Sequence, residues 1–247
     1  MKVIGLIPTR LNSLRLPQKA LLPINNIPLI IHTYRRAKLS KLLDDVVICC
    51  DDIKILDIAK KFKAKVMITS KNHQNGTERI FEAYKNLKNN FEIILDIQGD
   101  EPLLSPVHID EVIRFHKKNL NDDIILPNIK IPYSNNPNIV KVIFNKKYQV
   151  LYLTRGQVPF HFKNSVKYIF KHLSIISFKP LALEKFALSK KTKLEKIEDI
   201  ELLRALDLGL KIRTIKLSGD SFSVDVLDDY YKAQQKMLKD KYFRIYK

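Results

Sequence analysis

The first half of the chain alternates short β-branched runs with amphipathic stretches, and this alternation restricts the possible folds more than any other feature. "KVIGLI" (2–7), "DVVICC" (45–50), "KVMIT" (65–69) and "FEIILDIQ" (91–98) read as strands. The segments 29–40, 52–62, 77–88 and 106–119 carry apolar residues at helical spacing. Strands alternating with helices at this pitch imply right-handed βαβ units, hence an α/β fold with a mostly parallel central sheet flanked by helices. In such sheets ligands bind beyond the carboxyl ends of the strands. The pattern changes after residue 120. The runs 122–131, 139–145, 148–155 and 167–178 read as strands of a less parallel part, then come a short helix at 181–190 and a strong one at 196–209 with Gly209 as its cap. A last strand (211–217) and a closing helix (225–238) complete the chain. No repeat, low-complexity stretch or linker interrupts it. The expectation is one domain over 1–247 with an antiparallel excursion at about 122–178.

Composition narrows the class. A hydrophobic content of 45% and a charged content of 28% are those of an ordinary folded protein. The net charge of +18 invites a nucleic-acid reading, but the lysines are scattered in pairs such as Lys60-Lys61 and Lys146-Lys147, not gathered with aromatics into one stripe. They read as a solvated basic surface, with no nucleic-acid partner. The two cysteines, Cys49 and Cys50, are adjacent and suit a reducing compartment. "MKVIGLIPTR" has too short an apolar run for a signal peptide, and no stretch reaches the ~20 apolar residues that span a bilayer. A cytoplasmic protein without a membrane partner is expected.

Several stretches could carry chemistry. "IPTRLNSLRLPQK" places Arg10, Arg15 and Lys19 directly after an apolar strand, as a polyphosphate site or as a solvated basic loop. "DIQGDEP" puts Asp100 and Glu101 at a strand's end, where a carboxylate can hold Mg²⁺ against a nucleotide phosphate; taken alone, the same residues read as a turn. Asp225 in "SVDVLDD" reads as a second such carboxylate or as a helix cap. "NHQNGTERI" leads into a helix whose free amides could meet an anion, with Thr77 as the alternative cap. There are six glycines, against roughly 17 expected at ~7% usage, so the survivors at 76, 99 and 219 are candidates for positions that only glycine fits. No Ser/His/Asp order, HExxH or Walker A pattern occurs.

Taken together and in order, "PTRLNSLRLPQKAL", "NGTERI", "DIQGDEPLL", "TRGQVPF", "KHLSIISF", "LEKIEDIELLRAL" and "SVDVLDD" resemble the 3-deoxy-manno-octulosonate (Kdo) cytidylyltransferases over nearly the whole chain. The resemblance implies a Rossmann-like nucleotidyltransferase fold, a homodimer, and transfer of CMP from CTP to a 2-keto-3-deoxy sugar acid with release of pyrophosphate. It assigns Arg10, Ser13, Arg15 and Lys19 to the triphosphate, and Gln74, Gly76, Thr77 and Arg79 to the neighbourhood of the cytidine. It assigns Asp100 and Asp225 to Mg²⁺, and Gln98, Arg155, His172 and Glu201 to the sugar acid. The surroundings of "TRGQVPF" match the dimerisation region. The chain departs from the family pattern at Gln18, where glycine is usual, and at Ser174, Ile176 and Leu202, where glycine, tyrosine and glutamine are usual. Kdo is the leading acceptor. The alternatives are another ulosonic acid (8-amino-Kdo or a sialic-acid relative), or a homologue that binds nucleotide without turnover.

Overall fold

The computed structural model describes residues 1–247 except Leu14, Asn89 and Asp220. The chain divides into two compact units, residues 1–110 with 221–247, and residues 111–220.

The first unit is built on β1 (Val3–Thr9), whose first six residues are buried. A single 3₁₀ turn (Lys19–Leu21) and a hairpin of β2 (Pro23–Ile24) and β3 (Ile27–Pro28) follow. The hairpin turns on Asn25 and Asn26, both in the left-handed region that asparagine tolerates. Then come α1 (Leu29–Ala37), β4 (Asp45–Cys50), α2 (Ile53–Lys61), β5 (Val66–Ile68), α3 (Gly76–Asn86) and β6 (Ile93–Ile97). The strand order is β5-β4-β1-β6, and each pairing is parallel. Buried side chains on consecutive residues, such as Val46 to Cys50, are what a parallel strand covered on both faces requires. The predicted strands and helices of this half agree with these elements to within a few residues.

α4 (Pro106–Lys118) carries the chain into the second unit. There β7 (Ile124–Pro132) is followed by β8 (Lys141–Phe144), β9 (Val150–Thr154), β10 (Tyr168–His172) and β11 (Ile175–Phe178), and each pairing among these five strands is antiparallel. The single strand expected over 167–178 is therefore two, both paired with β7 and separated at Leu173, whose amide bonds the Pro127 carbonyl at 3.0 Å. α5 (Pro180–Ala187) matches expectation, but the helix expected over 196–209 is broken into α6 (Lys193–Glu198) and α7 (Leu202–Asp207). Asp199, with φ 52° and ψ 48°, reverses the chain between them. Gly209 has φ 71° just past α7, the left-handed position at which glycine ends a helix. β12 (Ile212–Leu217) returns parallel to β7.

Back in the first unit, α8 (Leu227–Leu238) and α9 (Phe243–Tyr246) close the chain. Arg36 on α1 is 2% exposed; it donates to the Leu103 carbonyl at 3.0 Å and to the two Asp240 oxygens at 2.7 and 3.2 Å. One buried guanidinium thus fixes both the C-terminal segment and the loop that follows "QGDEP".

Gly99 shows how closely that loop approaches β1. A Cβ at this position would lie 2.8 Å from the Pro8 carbonyl oxygen and 3.0 Å from Ile30 Cδ1. A backbone atom cannot swing aside, so Gly99→Ala is expected to cost ~1–3 kcal/mol by overpacking. Denaturant unfolding checks this, and a loss below about 0.5 kcal/mol would show that the contact yields.

Candidate functional site: two aspartates facing one lysine

An apolar cluster explains how distant motifs meet in the first unit. Leu16, Ile24, Leu29, Val224, Ala233 and Met237 are buried together. Leu16 lies next to Arg15, and Val224 next to Asp225, so burying the two apolar residues brings their charged neighbours to one place. The Val224 amide also donates to the Asp100 carbonyl at 3.0 Å, tying the two aspartate-bearing segments by their backbones.

The result is a compact charge cluster. Lys19 Nζ lies 2.9 Å from Asp100 Oδ2 and 3.3 Å from Asp225 Oδ1, and an Arg15 amine lies 2.9 Å from that same Asp225 oxygen. Lys19 is held from below. Its amide donates to the Leu16 carbonyl at 3.2 Å, and the preceding residue, Gln18, has φ 52° and ψ 29°. This left-handed conformation is physically why glycine is usual here. A side chain there costs ~1 kcal/mol, offset in part by the greater freedom glycine has in the unfolded chain. Gln18→Gly is therefore expected to leave the melting temperature unchanged or slightly raised, and a drop of more than ~2 °C would refute the strain.

The turn and cap readings of these aspartates resolve separately. "QGDEP" is a turn, with Glu101 N bonded to the Gln98 carbonyl at 3.4 Å, and it also presents Asp100 to Lys19. Asp225 is not the helix cap: the Asp229 carboxylate accepts from the amides of Asp225 and Val226 at 3.1 and 3.2 Å, leaving the Asp225 carboxylate to the cations. Thr77 is not the cap of α3 either. Asn75 accepts from Glu78 N at 2.8 Å, while Thr77 is buried.

The remaining assigned residues of this unit are placed as follows. Arg10 is exposed, with no hydrogen-bond partner among the described residues, and Ser13 is half-buried. Gln74 is exposed at the foot of α3. Gly76 packs against Pro8, and a Cβ there would come within 3.1 Å of Pro8 Cγ and 3.5 Å of Gln98 Nε2. Gln98 Nε2 donates to both Asp96 oxygens at 3.0 Å. Arg79 is 4% exposed and bonded to Thr69, Ser70 and Asp51. Sequence reasoning passed over Asp51, whose only signal was its position directly after the strand "DVVICC".

In the second unit, Arg155 is half-buried and engaged with backbone. Its guanidinium donates to the carbonyls of Pro137, Glu198 and Asp199 at 3.0, 2.8 and 3.2 Å. His172 on β10 pairs in register with Asn128 on β7. Burial, aided by the charges of Lys171 and Arg155, pushes the His172 pKa down to about 4, so the imidazole is neutral near pH 7. Lys141 is 1% exposed and donates to the Arg155 carbonyl at 2.9 Å; burial holds its pKa below the ordinary lysine value. Glu201 precedes α7 and Leu202 is buried, as is Ile176 on β11. No sequence pattern announces the buried polar group of Lys141 and Asn128 beside His172.

A parallel sheet with carboxylates and cations gathered beyond its strand ends is the ligand-binding edge of an α/β protein, the arrangement that nucleotidyltransferases use. Comparison with known proteins narrows this. A family model described as cytidylyltransferase matches residues 4–212. The 3-deoxy-manno-octulosonate cytidylyltransferase of Chloroherpeton thalassium is 36% identical over 97% of this chain and 99% of its own. The 8-amino-3,8-dideoxy-manno-octulosonate cytidylyltransferase of Shewanella pealeana is 33% identical over 97% of this chain and 100% of its own. The solved structure of CMP:2-keto-3-deoxy-manno-octonic acid synthetase complexed with CTP superposes with a TM-score of 0.90 at 27% identity, covering 97% of this chain and 99% of that one. The chain belongs to the cytidylyltransferase family, in its 3-deoxy-manno-octulosonate branch.

Proposed function

We propose that the protein transfers CMP from CTP to the 2-hydroxyl of 3-deoxy-D-manno-octulosonate, giving CMP-Kdo and pyrophosphate for a bacterial surface glycan. The observation that carries this is the meeting of Asp100 and Asp225 at Lys19 and Arg15. Hard carboxylate oxygens suit Mg²⁺, which is commonly held by one or two carboxylates together with substrate phosphates, and the pair has that size and chemistry. Asp100 and Asp225 would hold the ion, which would supply a lowered pKa at the attacking hydroxyl and polarisation of the α-phosphate.

The chain's own residues do the rest by positioning and charge. In-line attack of the hydroxyl on the α-phosphorus needs no protein nucleophile. In this reading Lys19 and Arg15, with Arg10, neutralise the triphosphate and then the departing pyrophosphate. Lys19 and Arg15 are paired with the two aspartates, so in this reading their contact with the triphosphate exchanges carboxylate for phosphate oxygens. Gln98, Arg155, His172 and Glu201 remain the assignment for the sugar acid. Arg155, held by three carbonyls, acts there through the loops it fixes.

The same reading includes a cytoplasmic homodimer. Among the described residues no helix is long and apolar enough to cross a membrane. Phe160, the last residue of "TRGQVPF", and Phe162, two residues beyond it, are 75% and 83% exposed, which favours a partner surface there. Pyrophosphate release with CTP and Mg²⁺ tests the activity, using Kdo, 8-amino-Kdo and a sialic acid in parallel. Release with Kdo at the highest kcat/KM is expected. A higher value with the amino sugar would transfer the assignment to the activity for which the Shewanella relative is named. No release with any acceptor, from folded protein that binds CTP, would leave a nucleotide-binding homologue without turnover.

A further inference from the structure

Arg79 and Asp51 form a connection that the catalytic reading does not use. Arg79 is on α3, in "GTER", yet its guanidinium points back into the first unit. One amine donates to Thr69 Oγ1 at 2.7 Å and to the Ser70 carbonyl at 3.1 Å, and the other to Asp51 Oδ2 at 3.3 Å. The Thr69 hydroxyl in turn donates to the Cys50 carbonyl at 3.0 Å. These contacts join the carboxyl ends of β4 and β5. The second Asp51 oxygen, Oδ1, accepts from the Leu11 amide at 3.0 Å, reaching the loop that follows β1. The ion pair is largely sheltered, with side chains 5% and 15% exposed.

Leu11 directly follows Arg10 and stands two residues before Ser13. Among the described residues, no other hydrogen bond holds residues 10–13. We propose that Asp51, buttressed by Arg79, is a positioning residue that presets the Leu11 backbone so that Arg10 and Ser13 stand ready for the triphosphate. The inference rests on the reading of this loop as the triphosphate site. Its physical basis is preorganisation. A loop that must be ordered on binding loses affinity by that ordering, and a fixed one does not. A carboxylate suits the role because it accepts two donors at once, Leu11 N–H on one oxygen and Arg79 on the other. A carboxamide has only one acceptor oxygen and must forfeit one of the two.

Asp51→Asn keeps size and removes that double acceptance. CTP affinity is measured by calorimetry, and KM and kcat by pyrophosphate release, for wild type, Asp51→Asn, Arg10→Ala and the double variant. Asp51→Asn is expected to weaken CTP binding about tenfold, near 1.4 kcal/mol, with KM rising more than kcat falls. A merely structural role would lower the active fraction and leave KM unmoved. Because the tether acts through Arg10 and its neighbour Ser13, the double variant is expected to lose markedly less than the product of the two single effects. Should Asp51→Asn fail to fold, Asp51→Glu keeps the charge and both acceptors but displaces them by one methylene, and it is expected to raise KM in the same way. Wild-type CTP affinity in the folded Asp51 variant, or fully multiplicative losses in the double variant, would overturn the proposal. Unchanged CTP binding in Arg10→Ala would instead count against the triphosphate reading of the loop.

Discussion

Asp100→Asn and Asp225→Asn are each expected to abolish turnover while leaving the fold intact. Each substitution replaces one of the two carboxylates proposed for Mg²⁺ by a neutral carboxamide, and a loss of at least about a hundredfold in kcat corresponds to ~2.7 kcal/mol of transition-state stabilisation. The stability side follows from exposure. Asp100 and Asp225 are 29% and 33% exposed, and Arg15 is 59% exposed. Ion pairs this open to solvent contribute about 0–1 kcal/mol, so the melting temperature should move by no more than a few degrees. CTP binding measured without Mg²⁺ should hold or tighten, because the variant frees Lys19 or Arg15 from a competing carboxylate. The informative result is the combination: inactive, folded and still binding nucleotide. Wild-type turnover in either variant would show that the metal site lies elsewhere; an unfolded variant would show that the pair is a structural linchpin instead.

How much of this was legible in the sequence depends on whether the determining interaction is local. The strands and helices of the first unit were, because buried parallel strands and amphipathic helices write their periods into consecutive residues. Asp45–Cys50 is a strand with the predicted ends. The split of 167–178 was not legible: β10 and β11 both pair with β7, so the apolar pattern runs on through the two-residue break at Leu173 and Ser174. Nor was the break of 196–209, which depends on a left-handed Asp199 that no helical period announces. The Asn25-Asn26 turn of the hairpin did carry a local signal and was passed over. At the site, each motif was visible and their meeting was not. Lys19 and Asp225 are 206 residues apart, and the burial of Leu16 with Val224 explains why they touch. The motif "GTER" identified Arg79 as important, but the structure sets its guanidinium on Asp51, a partner 28 residues away. A motif records that a residue matters; which side of it faces the ligand is a tertiary fact.

Arg204→Met is expected to be the most destabilising single substitution in the second unit. Arg204 and Glu195 are 0% and 4% exposed, on the two short helices that replace the one expected. Arg204 Nε donates to Glu195 Oε2 at 2.7 Å, and another of its amines reaches the Ser189 carbonyl at 3.1 Å. Its guanidinium also lies 4.5 Å from the centroid of Phe186. Glu195 has a second task, since its backbone and side chain form the capping box with Thr192 that starts α6. Methionine fills most of the volume but leaves Glu195 charged, buried and without its cation. Breaking one side of a buried pair in this way costs about 3–5 kcal/mol, far above the typical surface pair. Glu195→Gln leaves the Arg204 charge without its anion but should cost less, because one glutamine oxygen can still accept from Arg204 Nε and from the Thr192 amide, and the Phe186 ring and the Ser189 carbonyl still face the guanidinium. The combined Arg204→Met/Glu195→Gln chain should recover part of the loss of Arg204→Met, since no buried charge is then left alone. Denaturant midpoints of the three variants decide the matter. A loss below about 1 kcal/mol in Arg204→Met, or a double variant less stable than Arg204→Met, would mean that water or a neighbouring group already satisfies Glu195, and the pair would not be what joins α6 to α7.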